Sequence, residues 1–126
     1  MLFMVDCRHV VTLWYKYAYD INGNEVWRKV LDGGGTRSED PGDMLISGGN
    51  LIVVTKLQWQ QPDLYAIDRG TGAITWEQPQ PVSGVTPNAL FEDGIGNFYI
   101  TGKIFSYSYE ADVILMKTNS TGNSLW

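Results

Sequence analysis

The hydrophobic residues of this chain fall in short runs such as LIVV (Leu51–Val54), LYAI (Leu64–Ile67), FYI (Phe98–Ile100) and VILM (Val113–Met116). Polar and glycine-containing stretches separate them. No stretch sustains a 3.6-residue periodicity over the length of a helix, and runs this short, rich in β-branched and aromatic residues and bounded by Gly, Asn and Asp, predict strands joined by tight turns. The turns carry their own signal. Gly supplies positive φ, and an Asp or Asn at the turn start can hydrogen-bond the turn backbone.

The pattern repeats. DINGNEVW (Asp20–Trp27), DRGTGAITW (Asp68–Trp76) and NSTGNSLW (Asn119–Trp126) each place a Gly four residues before a Trp: Gly23/Trp27, Gly72/Trp76 and Gly122/Trp126. Successive tryptophans are 49 and 50 residues apart. A second run, GGNLIVVT (48–55), matches IGNFYITG (95–102), with Asn50 and Asn97 47 residues apart. DLYAID (63–68) matches DVILMKTN (112–119), and Trp14–Asp20 fills the same slot upstream. A looser pair, DMLIS (43–47) and NALFED (88–93), precedes the GN runs. Each period thus holds four strands, A to D in order, which is the signature of a β-propeller blade.

Counting back from Trp27 makes MLFMVDC strand B of a first blade without its strand A. The expectation is an all-β fold: a partial β-propeller of about 2.75 four-stranded antiparallel blades, reading B-C-D, A-B-C-D, A-B-C-D over eleven strands. The whole chain, 1–126, forms one repeat domain, with an incomplete blade 1 at 1–31, blade 2 at about 40–79 and blade 3 at about 85–126. Closed propellers use about 4–8 blades, so this array leaves its end blades uncovered and self-association is expected.

Composition narrows the chemistry. Charged residues make up only 18% of the 126, the net charge is −5, and no Lys/Arg cluster offsets it. Nucleic acid is therefore excluded as a partner, and an anionic lipid surface is disfavoured. No apolar run reaches the length of a membrane span, so no membrane insertion is expected. The apolar start, MLFMVDCRHVV, lacks a basic leader and a small-residue cleavage site, and reads as a strand.

Catalytic patterns are sparse. The one cysteine, Cys7, stands two residues from the one histidine, His9, in a strand, where a packed Cys and an edge His outweigh a nucleophile pair. ARG69 is followed by Gly70-Thr71-Gly72 and then the β-run AITW, whereas a phosphate loop needs a helix there. Asp20, Asn22 and Asn24 look like half a calcium loop but lack its closing bidentate acid. A cation among Arg37, Glu39, Asp40 and Asp43 is outweighed by a solvated loop. No metal, no cofactor and no catalytic residue is assigned.

The order Ala66-x-Asp68-x-x-Thr71-Gly72-x-x-x-Trp76 resembles the repeat of quinoprotein-like (pyrroloquinoline-quinone-type) propellers. The flanking copies, GGN, IGN and NSTGNSLW, resemble repeats of secreted bacterial and archaeal propellers. The resemblance implies an exported propeller, extracellular or periplasmic, acting as a scaffold or binding module; it does not imply a quinone enzyme, whose ligand set and vicinal cysteines are not found. The expected function is a non-catalytic binding or scaffolding module. The alternative is a fragment of an exported quinoprotein-like or polysaccharide-acting enzyme. In such a blade the short glycine turns share one face, and Gly23, Gly72, Gly122, Trp27, Trp76 and Trp126 are structural. The longer D–A and B–C connections share the other face. There Trp59, Gln60, Gln61, Tyr107, Tyr109, Glu110 and Arg37 are the candidate ligand-binding residues, suited to carbohydrate or protein because flat apolar surfaces stand beside amides and carboxylates.

Overall fold

The structure, a computed structural model, describes residues 4–10, 13–30, 40–56, 61–105 and 110–126. Every regular element among them is a strand. The strands are β1 (Met4–Val10), β2 (Leu13–Tyr19), β3 (Glu25–Val30), β4 (Asp40–Ser47), β5 (Asn50–Lys56), β6 (Asp63–Asp68), β7 (Ile74–Pro79), β8 (Val85–Glu92), β9 (Phe98–Phe105) and β10 (Ala111–Thr118). They form three open antiparallel meanders in chain order: β1-β2-β3, β4-β5-β6-β7 and β8-β9-β10.

Among the described residues ten strands stand where the repeat predicts eleven. The missing element after β10 is reduced to one bridge, Thr118 to Ser124. Two backbone bonds extend it: Lys117 N–H to the Trp126 carbonyl at 2.8 Å and Leu125 N–H to the Lys117 carbonyl at 2.7 Å. Residues 124–126 thus begin to pair with β10 in the direction of a fourth strand.

The sheets stack face to face, and the middle one is buried on both sides. Alternate residues of a strand point to opposite faces. Leu51, Val53, Tyr65 and Ile67 pack with Ala18 and Trp27 of the first sheet. Ile52, Val54, Leu64 and Ala66 pack with Val85, Leu90, Phe98, Ile100 and Met116 of the third. This double burial explains why LIVV and LYAI are continuous apolar runs rather than alternating ones.

The two leading edge strands, β4 and β8, lie close together. Each bulges just after a proline, at Pro41/Asp43 and Pro87/Ala89, and an edge strand with a bulge tolerates a residue that lacks an N–H. Asp43 links the strands: Oδ2 accepts the Leu90 N–H at 2.8 Å, while Oδ1 accepts the Met44 N–H at 2.9 Å. Ser47 Oγ donates to Glu92 Oε1 at 2.7 Å and makes a second bridge between these sheets. Gly42 is needed at this approach, since a Cβ there would lie 2.9 Å from Pro87 Cγ.

Candidate functional site

One end of the sheet stack is made of tight turns that satisfy themselves. In the β2–β3 turn, Asp20 Oδ1 accepts the N–H groups of Asn22 and Asn24, and Oδ2 accepts the Asn24 amide. The β8–β9 turn is built the same way: Asp93 Oδ1 accepts the N–H groups of Ile95 and Asn97, and Oδ2 accepts the Asn97 amide. At 119–123 the carboxylate is replaced by an amide, and Asn119 Oδ1 accepts the N–H groups of Thr121 and Asn123. DINGN, DGIGN and NSTGN are therefore one turn, Asp/Asn-x-x-Gly-Asn, used three times. The recurrence in DGIGN is legible in the sequence but is hidden if its IGN is aligned only with GGN.

The glycine loop Arg69–Gly72 belongs to this end. Asp68 Oδ1 accepts the N–H groups of Gly70 and Thr71 and the Thr71 hydroxyl, at 2.9 to 3.0 Å. The N–H groups that would cradle an anion are thus directed at the chain's own carboxylate. These bonds hold the carboxyls below their usual range. For Asp68 the Thr71 N–H is the chief cause, and for Asp20 the Asn24 amide. Asp93 is lowered to about 2, chiefly by the Asn97 amide, with the Asn97 and Ile95 N–H groups adding to it.

The tryptophans connect this end to the stacking of the sheets. Trp27 is buried, and its indole N–H donates to the Arg69 carbonyl at 2.8 Å, across from the first sheet to the second. Its ring lies on Gly72: φ there is +75°, and an added Cβ would come within 2.8 Å of Trp27 Cδ2. Trp76 does the same one sheet later. Its ring covers Gly122, φ +80°, where a Cβ would come within 2.5 Å of Cζ3, and it packs near Phe98 at 6.3 Å between ring centroids. Gln80, fully buried, helps hold that contact by donating from Nε2 to the carbonyls of Gln78 and Gly122, both at 3.0 Å. Gln80 sits in a stretch that reads as an extended Gln-Pro loop, so only its burial reveals the role. Trp126 and Gly23 are the two unmatched members of the series. Trp126 is 61% exposed, and nothing lies within 4 Å of a Cβ built on Gly23, although its φ is +83°.

The opposite end carries the β1–β2 connection over 11–12, β3–β4 over 31–39, β5–β6 over 57–62, β7–β8 over 80–84 and β9–β10 over 106–110; of these, 31–39 and 57–62 are longer than the five-residue turns at 20–24, 69–73 and 93–97. Of the candidate ligand-binding residues, Gln61 and Glu110 are described, and both are exposed. Arg37, Trp59, Gln60, Tyr107 and Tyr109 lie outside the described residues. Cys7 and His9 hold alternate positions of β1, paired with Lys16 and Trp14. Among the described residues no group of three or more His, Cys, Asp or Glu side chains converges as a metal site would require. Asp43, one of the residues weighed for a cation, has both oxygens engaged: Oδ2 by the Leu90 N–H of β8 and Oδ1 by the Met44 N–H of its own strand. No helix among the described residues is long and apolar enough to cross a membrane.

No family model and no curated protein matches this sequence. Among solved structures, the chain is similar to an uncharacterized protein from Listeria monocytogenes EGD-e, with a TM-score of 0.58 and 9% identity, over 90% of this chain. The chain spans about a third of that protein's length, 32%. At this identity the likeness concerns the fold alone.

Proposed function

We propose that the three sheets are successive blades of a β-propeller and that the chain serves as a non-catalytic binding or scaffolding module. It acts outside the cytoplasm, as the resembling propeller repeats do. Its ligand, a carbohydrate chain or an extended protein segment, engages the end that carries the D–A and B–C connections.

The observation that carries this reading is the difference between the two ends of the stack. At the turn end, Asp20, Asp68, Asp93 and Asn119 spend their acceptors on their own turns, which leaves little to recognise a ligand. The other end has connections of nine residues at 31–39 and six at 57–62; Trp59, Gln60 and Gln61 belong to the second of these, and Tyr107, Tyr109 and Glu110 to the five-residue connection at 106–110. Longer loops on a rigid sheet scaffold are where binding residues are usually placed. Aromatic faces beside amides and carboxylates suit sugar rings and peptide backbones alike.

The test is titration calorimetry of the chain with a panel of soluble polysaccharides and extended peptides, repeated with the triple variant Trp59→Ala/Tyr107→Ala/Tyr109→Ala. Binding that is lost in the variant, with an unchanged thermal melt, supports the reading. A ligand held equally well by the variant places recognition elsewhere and removes it.

A further inference from the structure

The two end faces of the stack are complementary halves of a contact that the chain already makes twice. We propose that a second copy of this chain docks head to tail, with its first sheet on the outer face of the third sheet. In this contact Trp126 of one copy covers the Gly23 turn of the next. This surface lies on the sheet faces, so the proposal stands apart from any ligand at the loop end.

The internal interfaces set the rule. Trp27 lies on Gly72 and Trp76 lies on Gly122, each from one sheet onto the C–D turn of the following sheet. The ring on the turn glycine is what the two interfaces share; the Trp27 indole additionally bonds the Arg69 carbonyl. The two members left over fit each other. Trp126 holds the donor position and is exposed, whereas Gly23 keeps the required left-handed φ with open space where a tryptophan would sit.

The surrounding faces match as well. Strand pairing sets Leu115 and Thr101 of the third sheet where Leu64 and Val54 stand in the second, and Tyr99 where Ile52 stands. Leu64, Val54 and Ile52 are buried against a following sheet, while Leu115 is 48% exposed and its strand neighbour Val113 89%. Phe91, also exposed, lies 6.2 Å from the Tyr99 ring and Trp126 lies 6.4 Å from it; Lys117, which pairs with Tyr99 where Ala66 pairs with Ile52, sets Nζ 5.2 Å from the same ring centroid, so the face is largely aromatic and aliphatic with a cation on it. On the receiving sheet, Tyr17 and Tyr19 stack at 6.1 Å on the face opposite Ala18, and Tyr17 stands where Tyr65 stands in the second sheet. Tyr65 is buried against the first sheet inside the chain. A contact between two different faces closes into a ring if its rotation allows and otherwise extends into an open chain.

The test is light scattering coupled to size exclusion, over a range of concentrations, on the wild-type chain and two variants. Trp126→Ala damages only the donor face, and because that side chain is exposed the fold should survive. Tyr17→Asp damages only the receiving face, with Tyr19→Asp as its substitute should the first fail to give a cooperative melt. The expected result is an associating wild type, association weakened about tenfold or more in each variant alone, and a heterodimer when the two are mixed in equal amounts. A wild type that stays monomeric overturns the proposal. So does a Tyr17→Asp chain that still self-associates, which would indicate pairing of two third-sheet faces, or a mixture that stays monomeric.

Discussion

The second and third sheets are built from matching strands, yet they meet different surroundings. Leu64 in β6 is fully buried, while Leu115, at the same place in β10, is 48% exposed. Trp76 packs against the third sheet, while its counterpart Trp126 is 61% exposed. Local sequence does not account for the contrast, because β10 is as apolar as β6 over the run VILM. The cause is the presence or absence of a neighbouring sheet. A strand's apolar residues become core only when another face covers them, so the same run is interior in one sheet and surface in the next.

Substitutions should separate the covered contacts from the uncovered one. The largest effect is expected for Trp27→Ala, which empties the first interface and removes the bond to the Arg69 carbonyl; a loss of about 3–5 kcal/mol should appear in urea unfolding. Trp76→Ala, at a half-buried ring, should cost about half as much. Trp126→Ala should change the stability of the monomer by less than about 0.5 kcal/mol, since it removes no covered contact. Equal losses for Trp76 and Trp126 would break the comparison.

The turn glycines give a finer probe. Gly23, Gly72 and Gly122 all have positive φ, so alanine strains each backbone by about 1–2 kcal/mol. At Gly72 and Gly122 the new methyl also meets a tryptophan ring, which adds about 1–3 kcal/mol of overpacking. Gly72→Ala should therefore be more destabilising than Gly23→Ala, and the double variant Gly72→Ala/Trp27→Ala should recover part of that difference in the same unfolding assay.

The smallest effect is in the turns themselves. Asp20, Asp68 and Asp93 are held below the usual carboxylate range, Asp93 at about 2. An unfolded aspartate titrates near about 3.9, so on acidification the unfolded chain binds the proton first. The stabilisation from these carboxylates is complete above that value and is lost as the pH falls toward 2. Asp93→Asn, which copies the amide of Asn119, should flatten the fall in melting temperature between about pH 4 and 2. Asn119→Asp should steepen it. An unaltered profile in both would show that these turns do not report on the fold.

Much of the architecture was legible because it is periodic. The tryptophan spacing, the GN runs and the turn glycines locate the strands of all three sheets within a few residues, and β6 at its observed bounds, Asp63–Asp68. The expected final strand needs correction: NSLW has the repeat's letters, but only Ser124 pairs with β10 as a bridge. The interior bonds of Asp43 and Gln80 were not legible, because each depends on a backbone group from the next sheet, 47 residues away for Leu90 and 42 for Gly122. The candidate ligand residues follow from loop composition alone, and of these the structure describes Gln61 and Glu110.

The sequence by itself determined the local parts: which runs are strands, where each turn needs a glycine, and which Asp or Asn closes it. Those choices rest on interactions within a few residues, so they repeat whenever the letters repeat. Only the tertiary structure decided which faces are core, which tryptophan is covered and which is exposed. Burial depends on what stands about one sheet spacing away, roughly 10 Å, and no local pattern carries that information.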